Sequence, residues 1–196
     1  MNRLLNNPEQ VVDEMLAGYI ASYPDRFCKL DGYHVLLNKN EKDKVSIVIG
    51  AGGGNEPWPI GYVGEGLADA CSLGNVFAAP TAKSILNAIR YVPNEKGVLC
   101  IATNHAGDVL NFELVAGLAE MEGIHTRQIY VSDDITSAEK TQREERRGIA
   151  GVSLIVKIAA AASEAGLSLE EVYEIASMAN KNIYTVSVTT SPAYIL

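Results

Sequence analysis

Apolar positions along this chain fall into two rhythms. Val45-Ser46-Ile47-Val48-Ile49 and Gly97-Val98-Leu99-Cys100-Ile101-Ala102 are nearly unbroken apolar runs, as expected of strands covered on both faces. Thr126 to Val131 reads as a third strand, Val76 to Pro80 as a short one, and Ile183 to Val188 as a strong one near the end. Elsewhere apolar residues recur every three or four positions. Val11, Val12, Met15, Leu16, Tyr19 and Ile20 share one face of a helix that Asn7 caps, Pro8 starts and Pro24 stops. Thr81 caps a second helix through Ile85, Leu86, Ala88 and Ile89, and a third presents Leu110, Leu114 and Leu118 on one face. An apolar helix starts at Gly148, and Ser168 caps a last one reaching about Asn180. The stretch before Lys44 is less regular, and residues 137 to 147, rich in both charge signs, read as a solvated helical face or mobile loop. Strands alternating with helices predict an α/β fold: one domain over 1–196, in three layers, with a mainly parallel sheet and helices on both faces.

Composition narrows the classes without choosing a function. A chain of 196 residues, 47% hydrophobic and 20% charged, is an ordinary globular composition. Its 16 basic against 24 acidic residues, net charge −8, disfavour nucleic-acid and anionic-membrane partners. Cys28, Cys71 and Cys100 are odd in number and lack metal spacing, which reads as reduced thiols in a cytoplasmic protein. The start, Met1 to Leu5, runs at once into polar residues and Pro8, so no secretory leader is expected. The longest apolar stretch, Gly148 to Ala162, is broken by Lys157 and is shorter than the ~20 residues of a membrane span.

Candidate chemistry sits where two strands end. The first runs into Gly50-Ala51-Gly52-Gly53-Gly54-Asn55-Glu56-Pro57, a loop that suits either a polar ligand met by backbone N–H groups or a tight turn packed under a helix. It matches neither G-x-G-x-x-G nor the P-loop, so a nucleotide is not its expected ligand. The second strand ends in Thr103-Asn104-His105-Ala106-Gly107-Asp108. Ligands of parallel α/β sheets bind beyond the carboxyl ends of the strands, which brings Asn55, Glu56, His105 and Asp108 together as candidate polar groups. Asp108 reads equally as a general base or as a cap of the following helix, and Glu56 as a residue that fixes its loop. His34, between Tyr33 and Val35, reads as structural.

At these loops the chain resembles the dihydroxyacetone-binding subunit of the dihydroxyacetone kinases. The likeness is carried by Gly50 to Pro57, Gly61-Tyr62-Val63-Gly64, Phe77-Ala78-Ala79-Pro80-Thr81 and Gly97-Val98-Leu99. Asn104, Gly107-Asp108, Leu110-Asn111-Phe112-Glu113, Asp133-Asp134 and Arg146-Arg147-Gly148-Ile149-Ala150 continue it, in register from Leu4 to Pro192. The resemblance implies that a ketose binds among the glycine loop, a histidine just after it, and a lysine and an aspartate of the second loop. Carried over, Gly52 and Gly53 meet the substrate through their backbone, and Asp108 takes a substrate hydroxyl proton.

Three departures follow from the same comparison. Asn55 stands at the loop histidine and Thr103 at the lysine, and the second domain with the histidine that holds the substrate as a covalent hemiaminal is missing. His105 takes a position usually aromatic and is a candidate for the ring lost at position 55. The chain is therefore expected to be a natural half or an excised piece of a split ketose kinase. Its expected partners are a small ketose, a second chain resembling the missing domain, and a nucleotide-binding kinase subunit that carries ATP or ADP with Mg²⁺. No cofactor and no metal are expected on this chain, and an oligomer is expected by analogy. The alternatives are a regulatory paralogue that binds a ketose without phosphorylating it, and an orphan domain that only dimerises.

Overall fold

The structure, a computed structural model, describes residues 5–192. Met1 to Leu4, on which most of the leader reading rests, and 193–196 lie outside the described residues. Six strands form one sheet: β1 (Phe27–Lys29), β2 (Val35–Asn38), β3 (Ser46–Gly53), β4 (Ala70–Val76), β5 (Val98–Thr103) and β6 (Thr126–Val131). Their order is β1-β2-β4-β3-β5-β6, and only β2 runs against the rest. The described residues also form five α-helices: α1 (Val11–Ser22), α2 (Ala82–Tyr91), α3 (Ala106–Met121), α4 (Val152–Glu164) and α5 (Leu169–Asn182).

β3 shows why the architecture has three layers. All eight of its residues are buried, because successive side chains leave the sheet on opposite faces and both are covered. Ile47 and Ile49 enter a core shared with Val12 and Leu16 of α1, Ile155 and Val156 of α4, and Val172 of α5. Val48 points the other way, into a core with Ile85 and Ile89 of α2 and with Phe112 and Val115 of α3. Truncating Ile47 or Ile49 to alanine would cost about 2–5 kcal/mol, since both sites are fully buried.

The capping signals hold. The Asn7 side chain accepts from Glu9 N–H at 3.1 Å, and Thr81 accepts from Ser84 N–H at 3.2 Å. Ser168 and Glu171 form a reciprocal capping box at the start of α5. His34 is structural: its Nε2 meets Asp13 Oδ2 at 2.9 Å, and Lys29 donates to the other Asp13 oxygen at 2.7 Å, pinning α1 to the β1/β2 edge. Cys71 and Cys100 are buried, and all three cysteines are free thiols.

Several expectations are corrected. The strand placed at Val76–Pro80 ends at Val76, because it is the last residue of β4 and Phe77 turns the chain with a left-handed φ of 56°. β1 and β2, three and four residues long at the sheet edge, carry too short a pattern to read. The buried face of α3 is Asp108, Phe112, Val115 and Ala119, whereas Leu110 and Leu114 are 68% and 55% exposed. That helix is apolar on nearly every side, so spacing did not identify the face that packs. Ile183–Val188 forms no strand: Thr185 bridges Asp134, and Val186 and Val188 are exposed. β-branched residues need a ladder partner as well as propensity, and no other strand of the described residues pairs with this segment. Within 137–147 a short 3₁₀ turn, Lys140–Glu145, is mostly exposed as expected, but Arg146 is buried and donates to Ala138 O at 3.1 Å.

Candidate functional site

β3 and β5 lie side by side and parallel, yet the chain leaves β3 toward β4 and leaves β5 toward β6. This is the topological switch point of the sheet, where a crevice opens beyond the strand ends. A cavity of about 660 Å³ fills it. Its lining includes Gly52 near the end of β3 with Asn55 beyond it, and Thr103 at the end of β5 with His105, Gly107 and Asp108 beyond it.

Close packing accounts for the glycines. A Cβ on Gly74 would stand 1.8 Å from Ala78 O, and one on Gly52 would stand 2.7 Å from the same oxygen. The turn at Phe77–Ala79 thus lies directly on the ends of β3 and β4 and forms one wall of the cavity. Gly53 packs against Val12 of α1, where a Cβ would come within 2.9 Å, and it stands outside the cavity lining. Gly54 adopts φ +92° and donates its N–H to both Glu56 carboxylate oxygens, at 3.2 and 3.1 Å. Asn55 Nδ2 donates to Gly52 O at 3.2 Å. The packed-turn reading holds, and the surface that these glycines shape lines the cavity.

The second loop is organised differently. α3 begins at Ala106, with His105 as the residue before its first turn, so Asp108 lies inside that turn. Its carboxylate caps no backbone N–H; Oδ2 accepts from the Thr103 hydroxyl at 3.2 Å, and buried Oδ1 has no partner. Only 4% of Asp108 is exposed, and burial raises its pKa from the ordinary carboxylate value to about 6, with the Thr103 hydrogen bond opposing. His105 Nδ1 lies 3.3 Å from Thr103 Oγ1 and 3.8 Å from Asp108 Oδ2. Burial and the neighbouring Arg147 lower the His105 pKa, and Asp133 raises it. The structure thus brings Thr103, His105 and Asp108 into one cluster, with Asn55 across the cavity and Glu56 turned back on its own loop.

Other walls come from residues the sequence reading left out of the site. Trp58, Tyr62 and Phe77 line one side, and Ile149, Ala150 and Ser153 line another. The Ile149–Gly151 segment is held in place by Asp133, whose Oδ1 accepts from Ile149 N–H and Oδ2 from Gly151 N–H, both at 2.7 Å. Gly148 passes so close that a Cβ would stand 2.2 Å from Val131 O. Asn104 Nδ2 adds bonds to Glu144 O at 2.8 Å and Arg146 O at 2.7 Å. The Asp133-Asp134 pair therefore builds a wall of the cavity without facing into it.

Among the described residues no three His, Cys, Asp or Glu side chains gather as metal ligands, and no helix is long and apolar enough to cross a membrane. Asp108 is the one carboxylate among the residues that line the cavity.

Comparison with known proteins agrees with this fold. The dihydroxyacetone-binding subunit DhaK of a phosphotransferase-dependent dihydroxyacetone kinase from Listeria innocua is 39% identical over 193 residues, covering 98% of this chain and 59% of that subunit. The chain thus spans about three fifths of that relative's length. The crystal structure of the dihydroxyacetone kinase from C. freundii in complex with AMP-PNP and Mg²⁺ superposes with a TM-score of 0.85 at 31% identity, over 92% of this chain and 34% of that one. A dihydroxyacetone kinase operon co-activator, Dha-DhaQ, superposes with a TM-score of 0.78 at 35% identity, over 84% of this chain and 51% of the other. The Dak1 domain model matches residues 17–195, and the chain belongs to the Dak1 family.

Proposed function

We propose that this chain is the ketose-binding half of a split dihydroxyacetone-type kinase, in which a partner chain supplies the covalent histidine. The observation that carries the reading is the buried Asp108 carboxylate, with Oδ1 unpartnered, at the switch point of the sheet. A buried acceptor without a partner is costly unless a ligand donor completes it, and a substrate hydroxyl is such a donor. With its pKa near 6, Asp108 is ionised at neutral pH and basic enough to draw the hydroxyl proton as the oxygen attacks a phosphoryl group.

Asn55 and the backbone at Gly52 orient the sugar, while Thr103 and His105 flank the base. Thr103 leaves the site one cation poorer than the resemblance implies, and Asn55 does not titrate near neutral pH. The altered set suits a ketose other than dihydroxyacetone, of greater length. Nucleotide, ATP or ADP with Mg²⁺, belongs to a kinase subunit, and the assembly is cytoplasmic. The kinase relatives support phosphoryl transfer as the reaction class.

The test is reconstitution with candidate partner chains, using small ketoses and a phosphoryl donor. Asp108→Asn is expected to lower kcat by about 10²–10⁴-fold with little change in KM. Unchanged turnover would remove Asp108 as the base.

One observation favours a second reading, a sensor that binds ketose without phosphorylating it. The site has exchanged a histidine and a lysine for Asn55 and Thr103, and the chain shares its fold with an operon co-activator. Calorimetric titration with dihydroxyacetone and a four-carbon ketose separates the two. Binding with no phosphorylated product under any partner combination favours the sensor.

A further inference from the structure

A buried carboxylate that takes a proton must release it before the next cycle, and Asp108 is only 4% exposed. Its one side-chain donor is the Thr103 hydroxyl, 3.2 Å from Oδ2, and that same hydroxyl lies 3.3 Å from His105 Nδ1. Ring and carboxylate are farther apart, 3.8 Å, so Thr103 is the intermediary. The imidazole also reaches solvent, its side chain being 49% exposed. A hydroxyl donates and accepts at once. The three groups therefore make a continuous hydrogen-bonded line from the inner end of the cavity to the surface.

Resting on the reading of Asp108 as the base, we propose that Thr103 and His105 are its proton exit. In the resting line His105 Nδ1–H donates to Thr103 Oγ1, whose O–H donates to ionised Asp108 Oδ2. After the substrate hydroxyl has given its proton to the Asp108 carboxylate, the ring trades its Nδ1 proton to water for one taken from water at Nε2, and the line reverses: the carboxyl O–H donates to Thr103, and the Thr103 O–H donates to the bare Nδ1. The carboxyl proton then passes to Thr103 as the Thr103 proton passes to His105 Nδ1. This step leaves Asp108 ionised, Thr103 unchanged in composition and His105 as imidazolium. Loss of the Nε2 proton to solvent restores the neutral ring, and one proton has travelled from substrate to water with nothing oxidised or reduced.

The electrostatics suit such a transfer. Burial raises Asp108 to about 6 and lowers His105 from its ordinary value, so proton affinities that differ widely in water approach each other here. Two further charged groups act on the ring. Arg147, paired with Asp134 at 3.5 Å, holds its pKa down, and Asp133, engaged by the Ile149 and Gly151 amides, holds it up. Neither bonds to Thr103, so the hydroxyl alone links the carboxylate to the ring.

Histidine ¹⁵N NMR of the full chain, titrated from about pH 5 to about pH 8, tests the line without needing a substrate. The expected His105 curve shows two inflections, its own and that of Asp108, and a neutral ring protonated on Nδ1 at the upper end. Asp108→Asn should abolish the second inflection, Thr103→Val should abolish it together with the Nδ1 preference, and Thr103→Ser should keep both. A single inflection in the wild type with the proton on Nε2 would overturn the exit, as would a Thr103→Val protein that retains the second inflection. The reading of Asp108 as base fails separately, by undiminished turnover of Asp108→Asn in the reconstituted kinase.

Discussion

The loop after β3 closes its hydrogen bonds upon itself, whereas the loop after β5 leaves one open. In the first, Gly54 N–H is taken by Glu56, Asn55 is bonded to Gly52 O, and the glycines are fixed by backbone packed within contact distance. In the second, Asp108 keeps an unpartnered buried oxygen and a pKa raised to about 6, with Thr103 and His105 beside it. Both border the same cavity, so adjacency does not make them equivalent. The first loop gives the cavity its shape, and the second holds a buried carboxylate whose ionised form costs stability.

The largest effect expected from that contrast is structural. Gly74→Ala puts a methyl group 1.8 Å from Ala78 O, a backbone atom that cannot yield without moving the turn at Phe77. A loss of at least about 3–4 kcal/mol is expected, read as a lower urea midpoint or a failure to fold. A stable Gly74→Ala protein with an intact cavity would show that the Phe77–Ala79 turn, against which the end of β3 is packed, tolerates rearrangement and is not a fixed frame.

Asp108 should behave in the opposite sense. Its folded pKa is raised above the unfolded carboxylate value, so its contribution to stability is fully present below about pH 4 and is lost as pH rises through about 6. Above that window the ionised carboxylate destabilises the fold. Asp108→Asn is therefore expected to raise stability by about 1–2 kcal/mol at pH 7.5, with the difference shrinking toward pH 4. Thermal melts of both proteins at the two pH values check it. An Asn variant less stable at pH 7.5 would make Asp108 a structural residue, and the contrast between the loops would collapse.

How much of this could be read in advance depended on where each element draws its identity. β3 and β5 were legible because strands buried on both faces must be apolar throughout, whatever surrounds them. The packing face of α3 was not, since its leucines at 110 and 114 fit the spacing as well as Phe112 and Val115 do, and only contact with α2 and the sheet decides. Ile183–Val188 has the composition of a strand, but strand identity belongs to a pair of chain segments. The same division holds in the site. His105 and Asp108 were visible because a polar loop ending an apolar strand is a local pattern, whereas Thr103 entered the site only through the family resemblance. Trp58, Phe77 and Ile149 were not visible as site residues, because turns and distant backbone contacts bring them to the cavity.

The smallest expected effect sharpens the comparison most. Glu56 is exposed, yet its carboxylate accepts from Gly54 N–H, with both oxygens in reach. Glu56→Ala removes a charge-assisted bond at the surface, worth about 1 kcal/mol or less. Global stability should therefore change little, while the Gly54 amide should exchange with solvent several-fold faster, since one kcal/mol is about a fivefold change in an opening equilibrium. Ketose affinity should weaken by a similar factor, because the loop that shapes the cavity samples more conformations. Faster exchange with unchanged affinity would mean that the first loop's order matters to its own packing alone, and that recognition rests entirely on the loop after β5.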